Sequence, residues 1–98
     1  MTSFQEKVYT ATRRVPKGRV STYAAIACAI GSPRAVRAVG NALNKNPDIK
    51  YTPCHRIVRS DGSIGGYACG SARKAVILKK EGVIVRDGKV DLKRYEKK

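Results

Sequence analysis

Three cysteines and a single histidine are the side chains in this sequence best suited to covalent chemistry. Cys54 is followed directly by His55, whereas Cys28 lies in an apolar stretch and Cys69 in a glycine-rich one. A thiol reacts as the thiolate, and a neighbouring imidazole or cation favours that form. Adjacent residues on an extended strand point to opposite sides, so Cys54 and His55 need a local turn to cooperate. Cys54 is the candidate nucleophile, Cys28 is predicted to be a small core residue, and Cys69 stays open.

The same residues argue against a metal site. The three cysteines have no metal-like spacing, and His55 is the one histidine available to join them. We therefore expect no metal and no cofactor. At least one thiol has no partner within the chain, and free thiols persist most easily in a reducing cytosol.

The charge of the chain points to a partner. Lysine and arginine total 21 against 7 aspartate and glutamate, which gives a net charge of +14. Such an excess attracts polyanions, so nucleic acid is the first partner to consider, with general basicity or an anionic membrane as alternatives. No apolar run approaches the ~20 residues that span a bilayer, and the N-terminus lacks signal-peptide architecture. We expect a soluble, monomeric, cytoplasmic protein, associated with the nucleoid if the cell is prokaryotic.

Length and pattern predict one domain over residues 1–98, mostly helical with small β-hairpins. Its core is expected at about residues 4–86, and residues 93–98 are expected to form a solvated basic tail. The predicted elements are helices over 3–14, 23–29 (Thr22 as N-cap), 32–44 (Ser32 as N-cap, Pro33 at the first position) and 71–81, a strand over 56–59 that turns at Asp61-Gly62, and a hairpin over 83–90 that turns at Asp87-Gly88.

The third predicted helix alternates small residues with arginines, in the string Arg34-Ala35-Val36-Arg37-Ala38-Val39-Gly40-Asn41. Alanine and glycine on an exposed face allow a close approach to another surface, and arginines bind phosphates. The alternative is a core stripe of Val36, Val39 and Leu43. The two interpretations concern opposite faces and are compatible. With the preceding helix, this one predicts a helix–turn–helix.

Several spaced motifs together resemble the O6-alkylguanine-DNA alkyltransferases, also called methylated-DNA–protein-cysteine methyltransferases. The resemblance extends from Phe4 to about Val85. The matching segments are Val15-Pro16-x-Gly18-x-Val20-Ser21-Thr22-Tyr23, Ile26-Ala27, Arg37-Ala38-Val39-Gly40, Asn46-Pro47, Pro53-Cys54-His55-Arg56-Ile57-Val58, Asp61-Gly62, Gly65-Gly66-Tyr67 and Glu81-Gly82. The fold that it implies is the winged helix–turn–helix-like C-terminal domain of these proteins.

The resemblance implies a chemical role for five residues. Cys54 is the alkyl acceptor, and His55 takes the thiol proton through a water molecule. Glu81 orients and charges His55, in a triad with water inserted. Asn46 stabilises the active-site turn by hydrogen bonding. Tyr23 rotates the 3′ phosphate and donates a proton to guanine N3 as the bond breaks.

The resemblance also implies the partner, which is double-stranded DNA containing O6-alkylguanine, bound through its minor groove. Arg37 then fills the gap left by the flipped nucleotide. The guanine pocket is lined by Tyr67 and by backbone near Val58 and Ala68. The DNA-contacting residues are expected to be Tyr23, Arg34, Ala35, Arg37, Ala38, Gly40 and Asn41.

This sequence departs from the family pattern at two places. Many members carry an extra N-terminal domain that has no counterpart here, so we expect its role to be dispensable or replaced. Ala68 stands where serine is frequent, and Cys69 adds a second thiol, which affects the range of alkyl groups accepted.

One rival function is a lesion sensor of the alkyltransferase-like class, although those proteins usually carry tryptophan at the position of Cys54. A thiol hydrolase with a Cys–His dyad is a second rival, and it leaves the basic helix unexplained.

Overall fold

The computed structural model describes residues 3–46, 51–64 and 71–97. It is mostly helical with two small two-stranded sheets, which confirms the predicted fold class. The elements are α1 (Ser3–Arg13), β1 (Ser21–Thr22), α2 (Tyr23–Ala29), α3 (Val36–Asn44), a 3-10 turn (Cys54–Arg56), β2 (Ile57–Val58), α4 (Ser71–Lys80), β3 (Val85–Arg86), β4 (Lys89–Val90) and α5 (Leu92–Tyr95).

Helices α2 and α3 form the predicted helix–turn–helix. The Thr22 side chain caps α2 by accepting a hydrogen bond from the Ala25 amide at 3.0 Å. Gly31, with φ of +79°, ends α2 in the left-handed conformation that glycine adopts without strain.

The predicted start of α3 was wrong. The Ser32 amide donates to the Ala27 carbonyl and closes α2, while the Ser32 carbonyl accepts from the Ala35 amide in a separate turn. Ser32 and Pro33 therefore belong to the connection, and the helix begins three residues later, at Val36.

Helix α1 packs against α2 and α3 around the first of two apolar clusters. The Tyr9 hydroxyl donates to the Ala42 carbonyl at 2.6 Å and fixes α1 to α3. The cluster is composed of Val8, Tyr9, Ala11, Val15, Ile26, Ala27, Val39, Ala42, Leu43, Cys54 and Ile57. The candidate nucleophile is thus part of the core on which the helix–turn–helix rests.

Strand β2 does not pair as predicted. Ile57 and Val58 pair in parallel with Ser21 and Thr22, far earlier in the chain. The turn at 59–62 is present, because the Gly62 amide donates to the Arg59 carbonyl. Beyond it, however, Ser63 forms a bridge with Lys89 of the second hairpin. The predicted turn is thus closed locally, by the hydrogen bond from Gly62 and by the Arg59 amide donating to the Ser63 carbonyl at 2.8 Å, but the residues on either side of it pair with distant segments.

The second hairpin forms as predicted. Asp87 and Gly88 both have positive φ, 51° and 72°, which suits a two-residue turn joining β3 and β4. Gly82, with φ of +90°, ends α4 close to its expected end.

The prediction that residues 93–98 form a solvated tail was wrong for the part that the structure describes. Asp91 caps α5 through its side chain, and Tyr95 is 7% exposed within the second apolar cluster. The Val20 amide donates to the Tyr95 carbonyl at 2.8 Å, and the Lys97 amide donates to the Val20 carbonyl at 2.7 Å. The second cluster comprises Val20, Val58, Ile64, Leu78, Val83, Val90 and Tyr95.

Among the described residues, no helix has the length and apolar character needed to cross a membrane.

Candidate active site and DNA-facing surface

Cys54 and His55 lie in a 3-10 turn and not in an extended strand, where their side chains would point to opposite sides. The Cys54 amide donates to the Thr52 carbonyl at 2.8 Å, and the Asn46 side-chain amide donates to the same carbonyl at 2.8 Å. Asn46 thus makes a hydrogen bond next to the turn that carries the thiol, which fits the role that the family resemblance implies for it. The Cys54 side chain is 3% exposed.

His55, Glu81 and Arg56 form one largely buried cluster, which includes the two residues that follow Cys54 in the chain. His55 Nε2 lies 3.0 Å from Glu81 Oε1, so the structure brings together the pair expected from the sequence. Arg56 binds both carboxylate oxygens, with Nε donating to Oε1 at 2.9 Å and Nη2 donating to Oε2 at 2.6 Å. A third nitrogen of Arg56 donates to the Val15 carbonyl at 3.0 Å. Glu81 therefore serves two partners, and Arg56 is a member of the site that the sequence did not reveal.

The cluster keeps His55 neutral and Glu81 charged, contrary to the expectation that Glu81 charges His55. Burial lowers the pKa of His55 and outweighs the opposing effect of Glu81. Burial by itself raises the pKa of Glu81. The hydrogen bonds from Arg56 and His55 lower that pKa by more than burial raises it, so the pKa is below its ordinary value. A neutral imidazole held by a carboxylate is suited to accept a proton.

Lys74 is a second residue near the site that the sequence did not reveal. Its side chain is fully buried, and Nζ donates to the Ile57 carbonyl at 2.5 Å. Burial lowers its pKa from 10.5 to about 8, although the nearby Cys54 favours the charged form. The available signal was its position four residues before Leu78, on the buried face of α4.

Tyr23 connects the thiol region to the surface. Burial raises the pKa of its hydroxyl, as does the nearby Cys54, while Arg59 acts in the opposite direction. The hydroxyl oxygen lies 3.5 Å from Lys74 Nζ. Tyr23 also contributes to the wall of an open cleft of about 680 Å³, whose other lining residues are Val36, Arg37, Gly40, Asn41, Asn44, Arg59 and Ser60.

The cleft contains three residues predicted to contact DNA besides Tyr23, namely Arg37, Gly40 and Asn41. The remaining three, Arg34, Ala35 and Ala38, lie at the start of α3 or just before it, and Arg34 and Ala38 are exposed. Asn44, Arg59 and Ser60 line the cleft without having been predicted.

The structure corrects two other predictions, those on the burial of Val36 and of Cys28. Val39 and Leu43 are buried as the core-stripe interpretation requires, but Val36 is 38% exposed and lines the cleft. Cys28 is exposed, not buried in the core as predicted. Helix α2 buries Ile26 and Ala27 on its other face, which leaves Cys28 in solvent.

The predicted guanine pocket is only partly described. The Val58 side chain is fully buried in the second cluster, so Val58 has its backbone alone available for a pocket. Tyr67 and Ala68, together with Cys69, lie outside the described residues. Within residues 3–46, 51–64 and 71–97, no group of three or more histidine, cysteine, aspartate or glutamate side chains is arranged to bind a metal ion.

Comparison with known proteins gives both catalytic and DNA-bound relatives. The chain is 49% identical over 80 residues to a methylated-DNA–protein-cysteine methyltransferase of Methanosarcina barkeri, covering 82% of this chain and 51% of that protein. It is 40% identical over 88 residues to a bifunctional methyltransferase/endonuclease of Picrophilus torridus, covering 90% of this chain and 30% of that protein. The chain thus spans about half or less of the length of these curated relatives.

Two solved structures are similar over most of the fold. Schizosaccharomyces pombe Atl1, in complex with damaged DNA containing O6-carboxymethylguanine, has a TM-score of 0.91 and 34% identity, covering 100% of this chain and 97% of Atl1. Mycobacterium tuberculosis OGT in complex with DNA has a TM-score of 0.82 and 40% identity, covering 84% of this chain and 50% of OGT. The family model described as 6-O-methylguanine DNA methyltransferase, DNA binding domain, matches residues 3–83. The chain therefore belongs to the 6-O-methylguanine DNA methyltransferase family and contains its DNA-binding domain.

Proposed function

We propose that this protein repairs DNA by transferring an alkyl group from O6-alkylguanine to Cys54, once per molecule. The observation that carries the proposal is the active-site turn. It holds Cys54 in a nearly closed site, next to a neutral imidazole that Glu81 binds at 3.0 Å. A nucleophile, a base and a group that orients the base are the parts that thiol activation requires.

The proposed step is a displacement at carbon. The Cys54 thiol proton passes through a water molecule to His55, and the sulfur then forms a bond to the alkyl carbon as the bond to O6 breaks. The electron pair of the broken bond remains with guanine, which leaves as its anion or, if Tyr23 protonates N3, as the neutral base. The product at Cys54 is a thioether that has no low-energy return, so no turnover follows.

Lys74 supports this step as a positioning residue acting through Tyr23. Its ammonium lies 3.5 Å from the Tyr23 hydroxyl oxygen, where it orients the hydroxyl that is proposed to protonate guanine N3. Because the Ile57 carbonyl anchors Lys74, the charge is held in place during the reaction.

Duplex DNA is proposed to bind across the cleft on the exposed side of α3. Arg37 and Arg59 supply positive charge there, and Gly40 permits a close approach of the backbone. The target nucleotide must leave the stack to reach a thiol that is 3% exposed, and Arg37 is placed to occupy the vacated space.

A second candidate is lesion binding without chemistry. Similarity to Atl1 along the whole chain favours it, since that protein was crystallised with damaged DNA. The cysteine at position 54, with its His55–Glu81 pair, favours transfer. The two functions differ in one observable, which is a covalent alkyl group on the protein.

The test uses duplex DNA carrying labelled O6-methylguanine and three proteins, which are the wild type, C54S and C28S. The proposal expects label on wild-type protein and C28S, and none on C54S, while all three bind the duplex with similar affinity. Label that maps to Cys28 or Cys69 in the wild type overturns the assignment of Cys54. Tight binding by the wild type without label supports the lesion-binding alternative.

A further inference from the structure

A second basic surface lies outside the cleft, where the end of α1 meets α5. It is a groove of about 530 Å³, called here the C-terminal basic groove. Its charged lining residues are Arg14, Arg19, Lys93, Arg94, Lys97 and Glu96. Among the described residues that line the groove, there are thus five cationic side chains and one carboxylate.

The groove is built by tertiary contacts and not by a loose chain end. Arg19 Nη1 donates to the Arg94 carbonyl at 2.6 Å, which fixes one guanidinium on the wall. The paired backbone of Val20 with Tyr95 and Lys97 holds the chain after α5 against β1. Burial of Tyr95 anchors this segment in the second cluster.

The positive charge of the groove is not neutralised within the described part of the chain. In residues 3–46, 51–64 and 71–97, the salt bridges within 4.0 Å are those of Glu81 with His55 and Arg56. Glu96, although it lines the groove, makes none there. An uncompensated cationic groove attracts a polyanion of regular charge spacing, as a phosphate backbone is.

The groove and the cleft are different surfaces. Among the residues that the structure describes, none lines both surfaces. Arg19, which lines the groove, precedes strand β1, whereas Tyr23, which lines the cleft, follows it, so that residues 20–22 lie between them in the chain. Binding of two duplexes at once requires that a duplex held on α3 through the cleft leaves the groove available for other phosphates, and single-duplex binding by a groove variant tests this.

We propose that the C-terminal basic groove binds the backbone of a second segment of duplex DNA, so that one protein molecule bridges two duplexes. This inference rests on the proposed binding of DNA at α3, because bridging requires both surfaces. Contacts with phosphate alone make the second site independent of sequence and of lesions.

The experiment is a bridging assay with undamaged DNA. Biotinylated duplex is fixed on beads, protein is added, and capture of a second, fluorescent duplex without biotin is measured over a range of salt. The groove variant is R14Q/K93Q/K97Q, whose three side chains are exposed. The matched control is K7Q/K79Q/K80Q, which removes three exposed lysines elsewhere and leaves the same net charge. Melting curves verify that both variants are folded.

Wild-type protein and the control variant are expected to capture the second duplex, and the groove variant is expected to capture at least tenfold less. Binding of a single duplex and alkyl transfer are expected to be unchanged in the groove variant. Equal capture by the groove variant and the wild type, or an equal loss in both variants, overturns the inference. Wild-type protein that binds one duplex and captures no second one also overturns it and leaves the proposed function intact, whereas wild-type protein that binds no duplex contradicts both.

Discussion

The ammonium nitrogen of Lys74 lies 3.5 Å from the hydroxyl oxygen of Tyr23 and 5.7 Å from the centre of its ring. A fully buried lysine thus lies beside Tyr23, which is the one aromatic side chain among the described residues that line the cleft. Burying that charge costs free energy, which is why the pKa of Lys74 is lowered.

Stability is expected to depend on pH through Lys74. Its pKa falls from 10.5 in the unfolded chain to about 8 in the folded protein. Below pH 8 both states carry the proton and the cost of burial is complete. Between pH 8 and 10.5 only the unfolded state retains it, so the free energy of unfolding rises with pH by about 3 kcal/mol in total.

Urea unfolding of the wild type and K74M across this range measures the effect. The difference between the two proteins should shift by that amount in favour of the wild type as the pH rises. K79M, which removes an exposed lysine from the same helix, should follow the wild type. Parallel pH profiles of wild type and K74M would contradict a charged, buried Lys74.

Glu81→Gln should destabilise the protein at neutral pH. Glu81 accepts hydrogen bonds from Arg56 and lies against His55, and its pKa is below the ordinary value of 4.5. Its contribution is therefore complete above pH 4.5 and is lost as the pH falls through the lower, folded-state pKa. We expect a loss of about 2–3 kcal/mol at pH 7 that shrinks in acid. Denaturant unfolding at both pH values measures it, with the exposed E6Q as control. A loss that is the same in acid would show that the carboxylate charge is not the cause.

Arg37→Ala should impair flipping of the damaged nucleotide and leave the alkyl transfer step itself unchanged. Arg37 is exposed in the cleft and lies apart from the His55–Glu81 pair. Transfer from duplex DNA should slow by tenfold or more, while transfer from free O6-benzylguanine, which needs no flipping, should hardly change. Single-turnover rates on the two substrates measure this, and equal losses on both would remove the role of Arg37 in the stack.

Alkylation of Cys54 should lower stability and weaken DNA binding. The thiol is 3% exposed and packs within the first apolar cluster, so an added group overpacks the site. Overpacking costs ~1–3 kcal/mol, which lowers the melting temperature of a domain of this size by several degrees. Thermal melts and DNA titrations of the benzylated protein measure both effects. Alkylation of the exposed Cys28 in C54S is the control and should change neither. An unchanged midpoint for the benzylated protein would mean that the site relaxes without strain.

The parts of this fold that were predictable are those fixed by local chemistry. Thr22 and Gly31 define the ends of α2, and Asp87-Gly88 specifies the turn of the second hairpin. In each case a few adjacent residues satisfy the backbone or adopt positive φ without help from distant segments.

The parts that were not predictable depend on partners far along the chain. Val58 pairs with Thr22 in a parallel sheet, and Tyr95 is buried where the Val20 amide donates to its carbonyl. After Tyr23, helix α2 contains no polar residue that would identify its exposed face. The sequence therefore does not predict that Cys28 is exposed. Lys74 was missed because a lysine in a basic run is ordinarily exposed, and only the packing of α4 buries it.

Intact-protein mass spectrometry after incubation with excess O6-methylguanine duplex shows whether Cys54 accepts the alkyl group. If it does, each molecule gains one methyl group in place of a hydrogen, peptide mapping places the methyl group on Cys54, and the reaction then stops. Protein that binds the damaged duplex and keeps its original mass would instead be a lesion-binding protein without transferase activity.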